Sequence, residues 1–202
     1  MLNRNILILC CSVLAIPFSL IGYSCNNDVI DPAIKDNVAI IKLTSTAFKN
    51  GKAIPVKYTA DGQDTSPALA WTDFPAGTKT FALICDDPDA PGDTWVHWVV
   101  YNIPATVSEL PEGVPNQKVL DNGPSELPFG RSGAQQGMSD FKRPGYGGPA
   151  PPSGTHRYFF KLYALDTTLQ LEPKTTTKNV LINAMQGHII GKGQLIGTYR
   201  HR

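Results

Sequence analysis

Cysteine is nearly absent from this 202-residue chain once its first 25 residues are set aside. Cys10, Cys11 and Cys25 fall in that stretch, and Cys85 stands alone beyond it. One thiol cannot close an internal disulfide, so the domain must be held by its core. Charge of one sign is also missing: 18 Lys and Arg stand against 17 Asp and Glu, for a net +1. A balance so even lacks the basic footprint that nucleic acid demands. A comfortable bilayer span is absent, because the apolar run from Ile6 to Ile21 is short and is broken by Pro17. There are no repeats, no H-E-x-x-H or G-x-S-x-G pattern, and no serine with an evident activating partner. What is plentiful is glycine and proline, 18 and 17 residues, which favour strands joined by ordered loops over long helices.

The N-terminus sets the compartment. Arg4 is the only charge before Asp28, and the apolar run follows it, as in a secretion signal over residues 1–24. Gly22-Tyr23-Ser24-Cys25 resembles a bacterial lipoprotein cleavage site, with glycine where leucine is commoner. The alternative is an ordinary signal peptide with an incidental cysteine. In the lipoprotein reading Cys25 carries the acyl chains, and several chains on one residue give stable membrane attachment. Residues 25–37 then form a tether and residues 38–202 a single domain, exported and lipid-anchored in the bacterial cell envelope.

The domain reads as mainly β. Strands are expected from Val38 to Leu43, over Pro55 to Thr59 at an edge, from Lys79 to Asp86, from Thr94 to Asn102, from Arg157 to Leu165 and from Gln194 to Arg200. Phe81, Leu83 and Cys85 share one face. Simple alternation puts Trp95, His97, Val99 and Tyr101 on one side of their strand, with Val96, Trp98 and Val100 on the other. One helix is expected near the C-terminus, where Val180, Leu181, Ala184, Met185, His188 and Ile189 form a stripe and Thr176 or Thr177 is the cap. The stretch from Leu110 to Ser153 is long and rich in Gly and Pro, a setting in which binding loops are frequent.

Chemistry concentrates in two segments. Asp87-Pro88-Asp89-Ala90-Pro91 follows a buried strand, and Pro88 and Pro91 stiffen the turn, so both carboxylates are held at a defined angle. Taken alone, this is as consistent with a stiff turn bearing solvated aspartates. Gly154-Thr155-His156-Arg157-Tyr158 opens another strand, with His156 on the face of Tyr158 and Phe160 and with Arg157 on the opposite face. Arg157 suits a structural ion pair as well as a ligand contact. His97 sits on an apolar face, where a satisfied core histidine is the ordinary reading. A nearby carboxylate would orient its ring and favour its cationic form. Gly145-Tyr146-Gly147-Gly148-Pro149 could offer backbone N–H groups to an anion. His188 and His201 lack such settings.

These motifs, in this order, resemble the phosphatidylethanolamine-binding protein family in its bacterial Raf-kinase-inhibitor-like branch. The resemblance runs from about Ile40 to Arg200 and includes Asp64 to Leu69, His97 to Pro104, Gly187 to Ile190 and Leu195 to Tyr199. It implies a predominantly antiparallel β-sandwich with few helices, and a pocket for phosphate-type groups, including phospholipid head groups. By motif, Asp87, Asp89, Trp95, His97, Gly148 and His156 would form the ligand site, supported by Pro88, Pro91, Arg157 and Tyr158. Ala150 stands where relatives often have cysteine, so no thiol role is expected there. No cofactor and no resident metal is expected.

In the mechanism this suggests, Asp87 accepts a hydrogen bond from His97 or His156. The imidazole and the Gly148 region then hold the phosphate oxygens, and Trp95 excludes water. An aspartate beside phosphate is repulsive unless the ligand is a monoanion or offers an ammonium group. Affinity should rise as pH falls through the histidine range. The leading function is non-enzymatic binding of phosphorylated or anionic small ligands or lipid head groups. A second is inhibition of a protease or kinase through protein contact. A third is an enzyme, with the two histidines, Asp87 and Asp89 acting on a phosphoester as metal ligands or as acid and base.

Overall fold

The structure is a computed structural model, and it describes residues 38–120 and 133–201. The signal, Cys25 and tether assignments lie outside the described residues. Ten strands and one helix follow in the order β1 (Ala39–Ile40), β2 (Lys42–Thr44), β3 (Lys52–Ala53), β4 (Leu69–Thr72), β5 (Thr80–Asp87), β6 (Trp95–Pro104), β7 (Glu109–Leu110), β8 (Gln135–Gln136), β9 (His156–Leu165), α1 (Lys178–Met185) and β10 (Ile189–Tyr199). The large sheet runs β1-β10-β9-β5-β6-β8, with β3 also on β10. The small sheet is β2-β4-β7. All pairings are antiparallel except those of β1 and β3 with β10. The molecule is mainly β, as its alternating strands predict, and its two sheets form the sandwich that the resemblance implies.

Two apolar layers hold it. Between the sheets lie Leu43, Leu69, Trp71 and Leu110 from the small sheet, against Phe81, Leu83, Cys85, Trp98, Val100, Tyr158, Phe160 and Leu162 from the large one. Phe81, Leu83 and Cys85 share this face as their alternation requires. The other face of the large sheet carries Ala82, Ile84, Val99, Tyr101, Tyr163 and Leu165, covered by Leu181 and Met185 of α1. Covering both faces explains why β5 is buried along its whole length. Each fully buried side chain of this size contributes about 1.5–3 kcal/mol.

Three local expectations need correction. The first strand divides at Ile41, with β1 joining the large sheet and β2 the small one. Pro55–Thr59 is not an edge strand but a single 3-10 turn over Val56–Tyr58, closed by Tyr58 N–H on Pro55 O at 2.9 Å. A proline φ near −65° suits a turn as well as a strand, so the residue alone does not decide. The helix ends at Met185, because Gly187 takes φ +77° and turns the chain into β10. His188 and Ile189 therefore leave the helical stripe, and Val180 is exposed.

Candidate ligand-binding site

The site forms where β5 ends, β6 begins and β9 begins. Asp87 closes β5 and is 3% exposed. Its Oδ1 accepts the Asp89 N–H at 2.8 Å, a local turn that fits the proline-stiffened segment. Its Oδ2 accepts the Nδ1–H of His156, the first residue of β9, at 2.7 Å. Of the two candidate donors to Asp87, the structure selects His156. Both carboxylate oxygens thus have protein partners, so Asp87 orients the ring.

His97 reaches the site by a route that alternation misses. Cys85 and Asp86 are adjacent on β5, yet they oppose Trp98 and Val96 on β6. His97 is the extra residue of a β-bulge. The bulge reverses the faces: Val96, Val99 and Tyr101 join the outer layer, whereas Trp98 and Val100 join the inner one. His97 packs edge-on against inner-layer Tyr158, with ring centroids 5.1 Å apart. It does not share a side with Val99 and Tyr101. Bulges commonly re-aim a side chain beside a functional site.

His97 is locked to the glycine-rich loop at two points. Its Nδ1 lies 2.6 Å from the carbonyl of Gly147, and Gly147 N–H returns to His97 O at 3.0 Å. Burial lowers the His97 pKa below its usual 6.5, against the opposing pull of the Gly147 carbonyl and of the Asp87, Asp86 and Asp140 charges. Gly147 must be glycine, since a Cβ there would fall 2.3 Å from the Phe141 ring. That ring packs against His97 at 5.4 Å and against Trp95 at 5.6 Å.

The resulting cavity, about 280 Å³, is lined by Asp87, Ala90, Pro91, Trp95, His97, Phe141, Ala150, Pro151, Pro152, His156 and Tyr158. Of the ten predicted site and supporting residues other than Cys25, six line this cavity: Asp87, Pro91, Trp95, His97, His156 and Tyr158. The Tyr158 hydroxyl is buried close to Asp87, and among the described residues it makes no hydrogen bond of standard geometry. Burial first, and then the charge of Asp87, push its pKa well up, so it is a donor throughout the physiological range.

Gly148 and Asp89 do not behave as expected. Gly148 N–H donates to Asp64 Oδ1 at 2.5 Å and is not available to an anion. Its glycine is required for another reason: a Cβ would fall 2.7 Å from Thr59 Cα. Asp89 is held outside the cavity wall in a two-pronged pair with Arg157, whose Nε and Nη2 donate at 2.9 and 2.7 Å. This pair lowers the Asp89 pKa and raises that of Arg157. Arg157 also presents its guanidinium to Phe159. The ion-pair role of Arg157 is the one realised.

The glycine-rich stretch is therefore a packed loop that carries the His97 acceptor. Asp64 secures it through Gly148 and through Arg143, whose Nη1 donates to Tyr146 O at 2.8 Å. Tyr146 is core, its hydroxyl donating to Tyr58 O and its ring set against Trp98. Asp64, Asp140 and Gly147 were missed as site-building residues. For Asp64 a turn-forming aspartate before Thr65-Ser66-Pro67 was the available signal. For the others only the fold shows the contact. Among the described residues no three His, Cys, Asp or Glu side chains are gathered to hold a metal ion. Asp87 and Asp89 are already committed to His156 and Arg157.

Comparison with known proteins gives the same fold. The phosphatidylethanolamine-binding protein family matches residues 44–200. A UPF0098 protein of Methanothermobacter thermautotrophicus is 48% identical over 160 residues, covering 79% of this chain and 99% of that protein. One of Aquifex aeolicus is 47% identical over 165 residues, covering 80% and 90%. Among solved structures, a phosphatidylethanolamine-binding protein homologue from Chlamydia trachomatis superposes with TM-score 0.69 at 39% identity, over 81% of this chain and 99% of its own. E. coli YbcL superposes with TM-score 0.70 at 33% identity, over 80% and 99%. Its mainly β sandwich, and a match spanning nearly all of the described domain, make this chain a member of the phosphatidylethanolamine-binding protein family.

Proposed function

We propose that this protein binds small phosphorylated or anionic ligands, or the head groups of phospholipids, without transforming them. The observation that carries this reading is the pairing of two fixed imidazoles with one buried hydroxyl. His97 and His156 both commit Nδ1 to the protein, which leaves Nε2 of each ring for the cavity that they line. The Tyr158 hydroxyl is buried at the same wall beside Asp87, without a hydrogen bond of standard geometry among the described residues. A buried donor without such a bond costs about 1–3 kcal/mol, a cost that a ligand oxygen would relieve. In its protonated form His156 donates Nε2–H to an anion, a charge-assisted bond. Trp95, Phe141 and Pro91 keep the walls dry.

The cavity volume suits a head group rather than an acyl chain. Among the described residues no serine, cysteine or lysine lines the wall as a nucleophile, which favours binding over turnover. The N-terminal sequence supports an exported protein anchored at the envelope through acylated Cys25, with the pocket presented beyond the tether. Phosphorus NMR with phosphoethanolamine tests the reading. Binding should shift or broaden the resonance, His97→Ala and His156→Ala should each weaken that change, and no inorganic phosphate should accumulate. Release of phosphate over time would replace this reading with an enzyme. An unaltered spectrum would favour a role through protein contact.

A further inference from the structure

We propose that the pocket selects a ligand that brings its own acidic proton, a singly protonated phosphomonoester, over a phosphodiester. The inference rests on the phosphate-pocket reading above and narrows it. Its basis is the direction of hydrogen bonds. A carbonyl oxygen only accepts, so His97 Nδ1 must carry the hydrogen in its 2.6 Å contact with Gly147. In the neutral ring Nε2 is then a lone-pair acceptor. The return bond from Gly147 N–H and the flanking rings of Phe141 and Tyr158 hold the ring in that orientation. A bare phosphate oxygen brought to Nε2 meets a lone pair, whereas a P–OH donates to it.

The surrounding charge acts in the same sense. Asp86 and Asp87 from β5 and Asp140 from the loop after β8 all bear on His97, and Tyr158 and His156 face the cavity from β9. Among the described residues no lysine or arginine lines the cavity, and Arg157 is taken up by Asp89. A dianion gains little there. Burial favours the neutral form of His97, which agrees with the acceptor role. The site thus presents an acceptor, His97 Nε2, a donor, the Tyr158 hydroxyl, and His156 Nε2, which donates only when that ring carries its second proton. That set matches a phosphate group with one O–H and two bare oxygens. A diester has no O–H to offer.

Isothermal titration calorimetry on the full chain, with methyl phosphate and dimethyl phosphate at pH 6 and pH 8, tests the selection. A phosphomonoester loses its second proton near pH 6, so its singly protonated share falls roughly 50-fold between the two conditions. The diester keeps one charge throughout, so any change in its binding reports the protein alone. Methyl phosphate should bind at pH 6 and weaken strongly at pH 8 relative to the diester. At pH 6 the diester should be about five- to a hundredfold weaker, since it leaves the buried acceptor unpaired. His97→Ala should narrow that gap. A diester that binds as tightly as the monoester, or a monoester no weaker at pH 8, overturns the selection while leaving a phosphate pocket. If neither compound binds at either pH, the pocket reading itself fails and the selection with it.

Discussion

At the scale of single residues, the site depends on a histidine kept neutral and a glycine kept bare. The sign of the His97 effect follows from its depressed pKa. Below 6.5 the unfolded chain takes up a proton at this position that the native ring refuses, so the unfolded state binds more protons. Stability contributed by His97 is therefore intact above pH 6.5 and falls as pH drops from there toward the lower native value. In thermal melts between pH 8 and pH 5, the wild type should lose more stability on acidification than His97→Gln, which carries no titrating group. Parallel losses would show that the ring is not buried as described. Gly147→Ala should cost about 1–3 kcal/mol in a urea titration, because its Cβ would fall 2.3 Å from the Phe141 ring and something must move. The convergence of His97, His156 and Asp87 on one cavity was legible from motif order. The reason for the glycines was not, since a close approach of loop to ring leaves no local mark in the sequence.

At the scale of elements, alternation located β5, β6 and β9 to within a few residues and failed inside β6. The fault is one extra residue. His97 is inserted opposite the Cys85–Asp86 step, and Asn102 takes φ +55° near a second register shift, so period-two reasoning assigns the wrong face between them. The helix shows a similar limit. Its stripe continued on paper through His188 and Ile189 because a helical period and the start of a strand can share apolar residues, and Gly187 decides between them. The cap itself is weak: Thr177 Oγ1 accepts from Val180 N–H at 3.4 Å. Packing, not capping, holds α1. Leu181→Ala, at a position with no exposure, should therefore cost about 2–5 kcal/mol. Thr177→Ala should cost at most about 0.5 kcal/mol, the low end for a cap. Equal losses in denaturant titrations would mean that the cap, rather than the apolar face, secures the helix.

For the whole molecule, one strand end organises three acidic residues, and β9 answers each. Asp87 points inward to His156, Asp89 reaches Arg157 at the rim, and Asp86 points to the outer face, where Lys161 Nζ lies at 3.1 Å and Lys178 Nζ, from α1, at 2.5 Å. The Asp86 side chain has no exposure, and Lys161 and Lys178 are its ion-pair partners. This cluster joins β5, β9 and the start of α1 at the edge of the outer apolar layer, on the opposite face of the sheet from the ligand cavity. It was not legible beforehand: Lys178 is 92 residues from Asp86, and two lysines on separate elements carry no spacing signal. The two ion pairs should respond differently to mutation and salt. Asp86→Ala leaves two lysines facing an apolar layer and should cost about 3–5 kcal/mol, nearly unchanged at high salt because the group is shielded from solvent. Arg157→Ala breaks a pair that is largely open to water, and should cost no more than about 1 kcal/mol, with high salt removing most of the difference. Chemical denaturation of both variants in 0.05 and 1 M sodium chloride measures the contrast. A large, salt-insensitive loss in Arg157→Ala would place the structural weight at the pocket rim, and a negligible loss in Asp86→Ala would show that helix and sheet are joined by their apolar contacts alone.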